Sequence, residues 1–200
     1  ITIPGVTNNQ LTQRLLDVAT DRADTLAIID LPLEFIPFTD SPDPLEDRIL
    51  TSVDNVIDNL QGRGINTSYG CAYYPWVQIR DSIRGNLLWV PPSVVALGTF
   101  ASSEGKSEVW FAPAGFNRGG LTEGSAGLTV LLASTRVVSK DRDKLYEANI
   151  NPIASFPSEG IVVFGQKTLQ VTQSALDRIN VRRLLIYIKK EISKKAAGIL

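Results

Sequence analysis

Histidine is absent from all 200 residues. With it go the usual general base, the Ser-His-Asp and Cys-His arrangements for nucleophilic attack, and most zinc sites. Methionine is also absent, so the chain does not begin at an initiator; with its helical, hydrophobic end at Gly198-Ile199-Leu200, the expectation is a piece of a longer protein. The single cysteine, Cys71, excludes an intramolecular disulfide, suggests a reducing compartment and reads most simply as a small buried side chain. Apolar runs are only a few residues long, against the roughly 18 needed to cross a bilayer. No secretory signal stands at the start. The net charge of −1 gives no reason to expect nucleic acid.

At 44% hydrophobic and 20% charged residues, the composition is that of an ordinary globular protein with enough chain for one good core. The charge is unevenly placed. Residues 178–200 carry seven Lys or Arg against one Glu, while the remainder carries thirteen against twenty acids. Such asymmetry suggests a partner that reads one face, although a basic helix end also complements its own dipole.

The strongest patterns lie between Gly160 and Ile192. Ile161, Val162, Val163 and Phe164 form an apolar run that reads as a strand covered on both faces, ended by Gly165. Val181, Leu184, Leu185, Ile188 and Ile192 then follow the spacing of one helical stripe, with Arg183, Lys190 and Lys194 on the opposite side. Ile186 falls among those cations and hints at a second covered surface.

Earlier in the chain, Asn9 to Ala19 predicts a helix with Leu11, Leu15 and Ala19 on one face and Asn8 or Asn9 as cap. Thr25 to Ile29 reads as a buried strand stopped by Pro32. Leu45, Ile49, Val53, Val56, Ile57 and Leu60 predict a long helix capped by Ser41 or Asp43 and ending near Gly62. Further strands are expected at Tyr69 to Ile79 and Leu87 to Val90, and Leu128 to Val138 reads as either a strand or a buried helix, the strand being favoured. A short helix is expected from Ser93 to Phe100, and another from Asp141 to Asn149. Strands alternating with helices argue for an α/β sheet flanked by helices on both faces, with Ile28, Ile29, Ile49, Val53, Val95, Leu97, Val162, Val163 and Phe164 in the core.

Candidate sites of chemistry give way to plainer readings. Gly105-Lys106-Ser107 resembles the end of a phosphate loop, but Gly98 stands seven residues ahead of Gly105 where five are required, and a helix precedes it instead of a strand. Asp40, Asp43, Glu46 and Asp47 lack the glycine and alternation of a calcium loop and suit a helix N-terminus. Asn66-Thr67-Ser68 matches a glycosylation sequon by chance. Tyr73, Tyr74 and Trp76 have little basic interleaving and suit packing better than base stacking. No catalytic, cofactor-binding or metal-binding residue is assigned. Neither nucleic acid nor membrane insertion is expected.

The segments GIVVFGQKTL and RINVRRLLIYIKKEI, together with VPPSVVALGTF, EVWFAPAGFNRGGL, YEANINPI and LAIIDLP, resemble in order the tail sheath proteins of contractile-tailed bacteriophages. The resemblance implies a mixed, largely parallel α/β main domain of subtilisin-like fold over residues 1–170. It implies that residues 171–200 open a truncated, tube-proximal C-terminal α+β domain. It also implies a non-enzymatic structural subunit of the virion tail, assembled in the host cytoplasm, that polymerises helically around a tail tube and contracts to drive it through the host envelope. Implied partners are other sheath subunits, the tube, and baseplate and terminator proteins; the piece by itself is expected to be monomeric. Arg178, Arg182, Arg183, Lys189, Lys190, Lys194 and Lys195 are candidates for contacts to the tube or an adjacent subunit. Two other readings remain open: the sheath of a bacterial secretion or bacteriocin-like injection device, and an α/β nucleotide- or sugar-modifying enzyme.

Overall fold

The computed structural model describes residues 1–32, 53–81, 83–124 and 127–198. Helix α1 (Asn9–Arg22) starts where the Asn8 side chain accepts hydrogen bonds from the amides of Gln10 and Leu11, satisfying donors that a helix start leaves free. Its buried face is Thr12, Leu16 and Ala19. Leu11, expected on that face, is 56% exposed because the helix is seated by the row one residue on.

Strand β1 (Ala27–Asp30) follows, then α2 (Val53–Gln61), β2 (Gly70–Tyr74), β3 (Val77–Arg80), β4 (Leu87–Val90), α3 (Pro92–Lys106), β5 (Val130–Ala133), α4 (Ser139–Glu147), β6 (Ile150–Phe156), β7 (Gly160–Val163) and α5 (Ile179–Ala197). A short 3-10 turn at Ala175–Asp177 introduces α5. Of the long helix expected up to Gly62, Val53–Gln61 is seen; Ser41, Asp43, Leu45 and Ile49 lie outside the described residues, as do Asp40, Glu46 and Asp47.

The strands form two sheets. The first has the order β1-β2-β6-β7, parallel at its first two pairings and antiparallel between β6 and β7; the second is antiparallel, in the order β4-β3-β5. The architecture is therefore mixed α/β, with a mixed sheet and helices. The run expected as one strand from Tyr69 to Ile79 is broken at Pro75, a residue that cannot donate to a ladder, and its two halves serve different sheets.

Side chains alternate across the first sheet, as the pleat requires. Ala27, Ile29, Ala72, Tyr74 and Ile150 face α1, α2 and α4. Ile28, Cys71, Tyr73, Ile153 and Val163 face α3, Ile179 of α5 and the second sheet. Both faces are thus covered, which is why β1, β2 and β7 read as continuous apolar runs.

Two expected core residues lie outside it. Leu97 is 41% exposed because it sits about 100° around α3 from the buried Ala96. Phe164, 39% exposed, follows the end of β7 and joins Phe116 and Phe156 in a surface aromatic cluster under the Arg142 guanidinium. Among the described residues no helix is long and apolar enough to cross a membrane.

Candidate functional site

The segments singled out in the sequence meet one another in space. Asp30, at the end of LAIIDLP, is buried and accepts bonds from the Ser93 amide (3.0 Å), the Ser93 hydroxyl (2.7 Å) and the Gly5 amide (3.0 Å). Helix α3 has no capping side chain of its own at Pro91, so a carboxylate from β1 does that work across the fold. Burial pushes the Asp30 carboxyl above its ordinary value of 3.8, against the pull of those bonds.

Asn151, in YEANINPI, makes a second joint. Its amide nitrogen donates to the carbonyls of Ala72 (3.0 Å) and Lys167 (2.8 Å), and its oxygen accepts from the Lys167 amide (2.6 Å). This ties β2, β6 and the GQKTL segment together. Gly165 must be glycine at that joint, because a Cβ would stand 2.8 Å from the Asn151 side-chain oxygen and 2.9 Å from its Cα.

EVWFAPAGFNRGGL makes a third joint by running along β7. Gly115 donates to the Val163 carbonyl, Val163 to that of Gly119 and Leu121 to that of Ile161, each at 2.8 Å. A Cβ on Gly119 would lie 2.3 Å from the Val163 oxygen.

The seven candidate cations divide into two groups along α5. Arg182 is buried; it donates to the Ser68 hydroxyl and its guanidinium lies 4.0 Å from the Tyr69 ring centroid. Arg183 covers Phe100 at 4.9 Å and pairs with Glu104 at 2.8 Å, while burial lowers its pKa. Arg178 donates to the Tyr146 hydroxyl and lies 3.3 Å from Asp177. These three arginines are engaged within the chain. Lys189, Lys190, Lys194 and Lys195 are exposed. Lys189 reaches the Tyr69 hydroxyl at 3.4 Å and Lys194 pairs with Glu191 at 3.6 Å.

Ile179, Arg182, Arg183 and Ile186 form the side of α5 turned to the body. The apolar stripe therefore faces away, from half-buried Val181, Leu184 and Leu185 to Ile188 at 38% and Ile192 at 62% exposure. The helix is seated by guanidinium stacking on aromatic faces, worth about 0.5 to 2 kcal/mol a contact, instead of by the stripe its periodicity advertises.

The features considered for chemistry take structural places. Gly105 and Lys106 end α3, whereas a phosphate loop needs them where a helix begins. Tyr73 and Tyr74 are buried in β2, and Trp76 donates to the Leu31 carbonyl at 2.9 Å. Thr67 bridges Leu169, beside the Ser68 that holds Arg182. Among the described residues no group of three His, Cys, Asp or Glu is placed to hold a metal ion.

No family model matches the chain. The tail sheath protein of Vibrio phage KVP40 is 37% identical over 146 residues, covering 73% of this chain and 20% of that protein. The tail sheath protein of Enterobacteria phage T4 is 29% identical over 197 residues, covering 95% and 28%. Among solved structures, the helical sheath of the anti-feeding prophage in its contracted state matches 100% of this chain and 48% of its own with TM-score 0.64 at 23% identity. The sheath complex of an extracellular contractile injection system, also contracted, matches 88% and 41% with TM-score 0.65 at 22% identity. The chain thus spans between a fifth and three tenths of these curated relatives. In sequence the chain is similar to phage tail sheath proteins, and in fold to solved sheath subunits of contractile injection systems.

Proposed function

We propose that the chain is part of a structural subunit of a contractile phage tail sheath, which polymerises helically around a tail tube and shortens to drive the tube through a host envelope. The observation that carries this reading is the use made of the resembling segments. They bind each other at Asp30–Ser93, Asn151–Lys167 and Gly119–Val163, so they stiffen a body and leave no reactive group waiting for a substrate. A subunit that moves as a unit between two neighbour arrangements needs that stiffness.

In this reading residues 1–170 form the main domain, a variation on the subtilisin-like fold, and residues 171–200 open a C-terminal domain next to the tube. The outward apolar stripe of α5 supports the second assignment, because a helix that seats its parent body with arginines keeps its apolar face for another packed unit. Lys189, Lys190, Lys194 and Lys195 then supply charge for contacts to the tube or a neighbouring subunit. Each exposed pair is worth only about 0.2 to 1 kcal/mol, but a lattice repeats it. The subunit belongs to the virion tail, is assembled in the host cytoplasm, and meets baseplate and terminator proteins at the tail ends. The solved neighbours from injection systems favour one variant reading, a bacterial contractile device built of the same body.

The test is negative-stain microscopy of the full-length gene product expressed with its tube protein. Long tubes with a regular surface lattice are expected; uniform globular particles under all conditions would overturn the proposal. The 200-residue chain alone is expected to sediment without long polymers.

A further inference from the structure

Helix α5 is attached to the body in two unlike ways. Its root is held by backbone and core. The Ile179 amide donates to the Gln166 carbonyl (2.8 Å), the Thr168 amide to the Asp177 carbonyl (2.8 Å) and the Thr168 hydroxyl to the Leu176 carbonyl (3.0 Å), while the Ile179 side chain is fully buried. Beyond the root, the seat is made by polar and aromatic side-chain tips. Arg182 reaches Ser68 and the Tyr69 ring, Arg183 reaches Glu104 and the Phe100 ring, and the Asn180 amide nitrogen donates to the Trp110 carbonyl at 3.2 Å. The Tyr187 and Trp110 rings lie 6.3 Å apart between centroids. Of the 19 residues of α5, Ile179 and Arg182 are the buried ones.

The two attachments differ in what breaking them exposes. Lifting an apolar side chain from a core leaves apolar area in water in proportion to its size. A guanidinium that leaves an aromatic face regains its hydration, and its hydroxyl and carboxylate partners are solvated in exchange. The body has little need of α5 to close its core. On that side α3 and the second sheet cover the first sheet, and among the described residues Ile179 is the one part of α5 that enters the cluster.

We infer that α5 is a hinged arm with two positions, one seated on the body and one lifted from Arg182 onward about a pivot at Ile179. Lifting leaves the root bonds at Gln166 and Thr168 in place. It uncovers Tyr69 and Phe100 and frees two guanidinium forks, each able to take a carboxylate from another unit. Such a partner shifts the arm outward by its higher affinity for the lifted position. The inference rests on the reading of residues 171–200 as the opening of a separate unit, and gives that unit a way to change place while the body stays stiff.

The experiment is native-state hydrogen exchange on the 200-residue chain, resolved by residue. Amides of residues 184–188 should be at least about a hundredfold less protected than those of β2, and their opening should depend little on low urea concentrations. The amides of β2 and Ile179 should instead show the steep urea dependence of whole-body unfolding. Ile29→Val, on the face of the first sheet away from α5, should lower β2 protection about two- to tenfold and leave residues 184–188 unchanged. R182K/R183K keeps both charges but loses the flat forked groups, and should raise the opening of residues 184–188 at least about fivefold. Residues 184–188 that share the protection and urea dependence of β2 would overturn the inference. So would a parallel loss of their protection in Ile29→Val, or an opening indifferent to R182K/R183K. An Ile179 amide exchanging together with residues 184–188 would refute the pivot. No assembled particle enters the measurement, so its failure leaves the sheath reading to its own test.

Discussion

Replacing Asn151 by alanine puts the greatest load on the claim that the resembling segments are internal joints. The substitution removes three hydrogen bonds, two of which serve the amide and carbonyl of Lys167, at a position with 0% exposure. A typical net hydrogen bond contributes about 0.5 to 1.5 kcal/mol, and a buried group left unsatisfied costs about 1 to 3. Asn151→Ala should therefore cost about 3 to 5 kcal/mol, a large share of the roughly 5 to 15 that holds a domain together. For a chain of this size each kcal/mol moves Tm by about 2 to 4 °C, so a fall of at least about 6 °C is expected. Chemical denaturation should show the loss in midpoint with an unchanged slope. Asn151→Asp keeps an acceptor for the Lys167 amide and loses both donations, so it too should be destabilised. A Tm within about 2 °C of the parent for Asn151→Ala would refute the reasoning, since Gly165 and Lys167 would then hold their places without the joint.

Further predictions follow from other contacts. Arg182→Ala removes the Ser68 bond and the Tyr69 stacking and should lower stability by about 1 to 3 kcal/mol. Lys195→Ala should stay within about 0.5 in the same denaturation assay. Asp30 has its pKa raised by burial, so its contribution is fully present below the ordinary carboxylate pKa and is lost as pH rises through the raised value. The stability difference between the parent and Asp30→Asn should change with pH just above 3.8, and a flat difference over that window would refute the assignment. The Cys71 thiol, wholly buried and pushed up to about 12, should resist disulfide-exchange reagents at pH 8 until the chain unfolds; rapid labelling of native protein would contradict its placement. Ile192→Ser should leave the 200-residue chain within about 0.5 kcal/mol of the parent, yet impair sheath formation in the full-length protein.

The buried strands were legible because both faces of the first sheet are covered, which turns β1, β2 and β7 into plain apolar runs. The length of α5 was legible too, but its orientation was not. Periodicity shows where an apolar stripe lies and not what covers it, and here Arg182 and Arg183 take the inward side by stacking on Tyr69 and Phe100. Ile186 among the cations was the available hint. Leu11 misled for a related reason: Thr12 can be buried in α1 because its hydroxyl donates to the Asn8 carbonyl at 3.0 Å, so the helix turns by one row. The division of strands between two sheets depends on where Pro75 breaks the run and on partners far along the chain, neither of which a local pattern encodes. Asp30 and Asn151 give little sign in the sequence because their partners lie far along the chain, Ser93 63 residues from Asp30, and Lys167 and Ala72 16 and 79 residues from Asn151. Each stands as a lone polar residue at the end or beginning of an apolar strand, the only local signal they give.

The most direct measurement is a helical reconstruction by electron microscopy of particles assembled from the full-length gene product. It should show this α/β body repeated around a central tube, with Ile188 and Ile192 covered and Lys189, Lys190 and Lys194 against acidic neighbours. Particles without helical order, or a lattice in which that face of α5 remains bare to solvent, would contradict it.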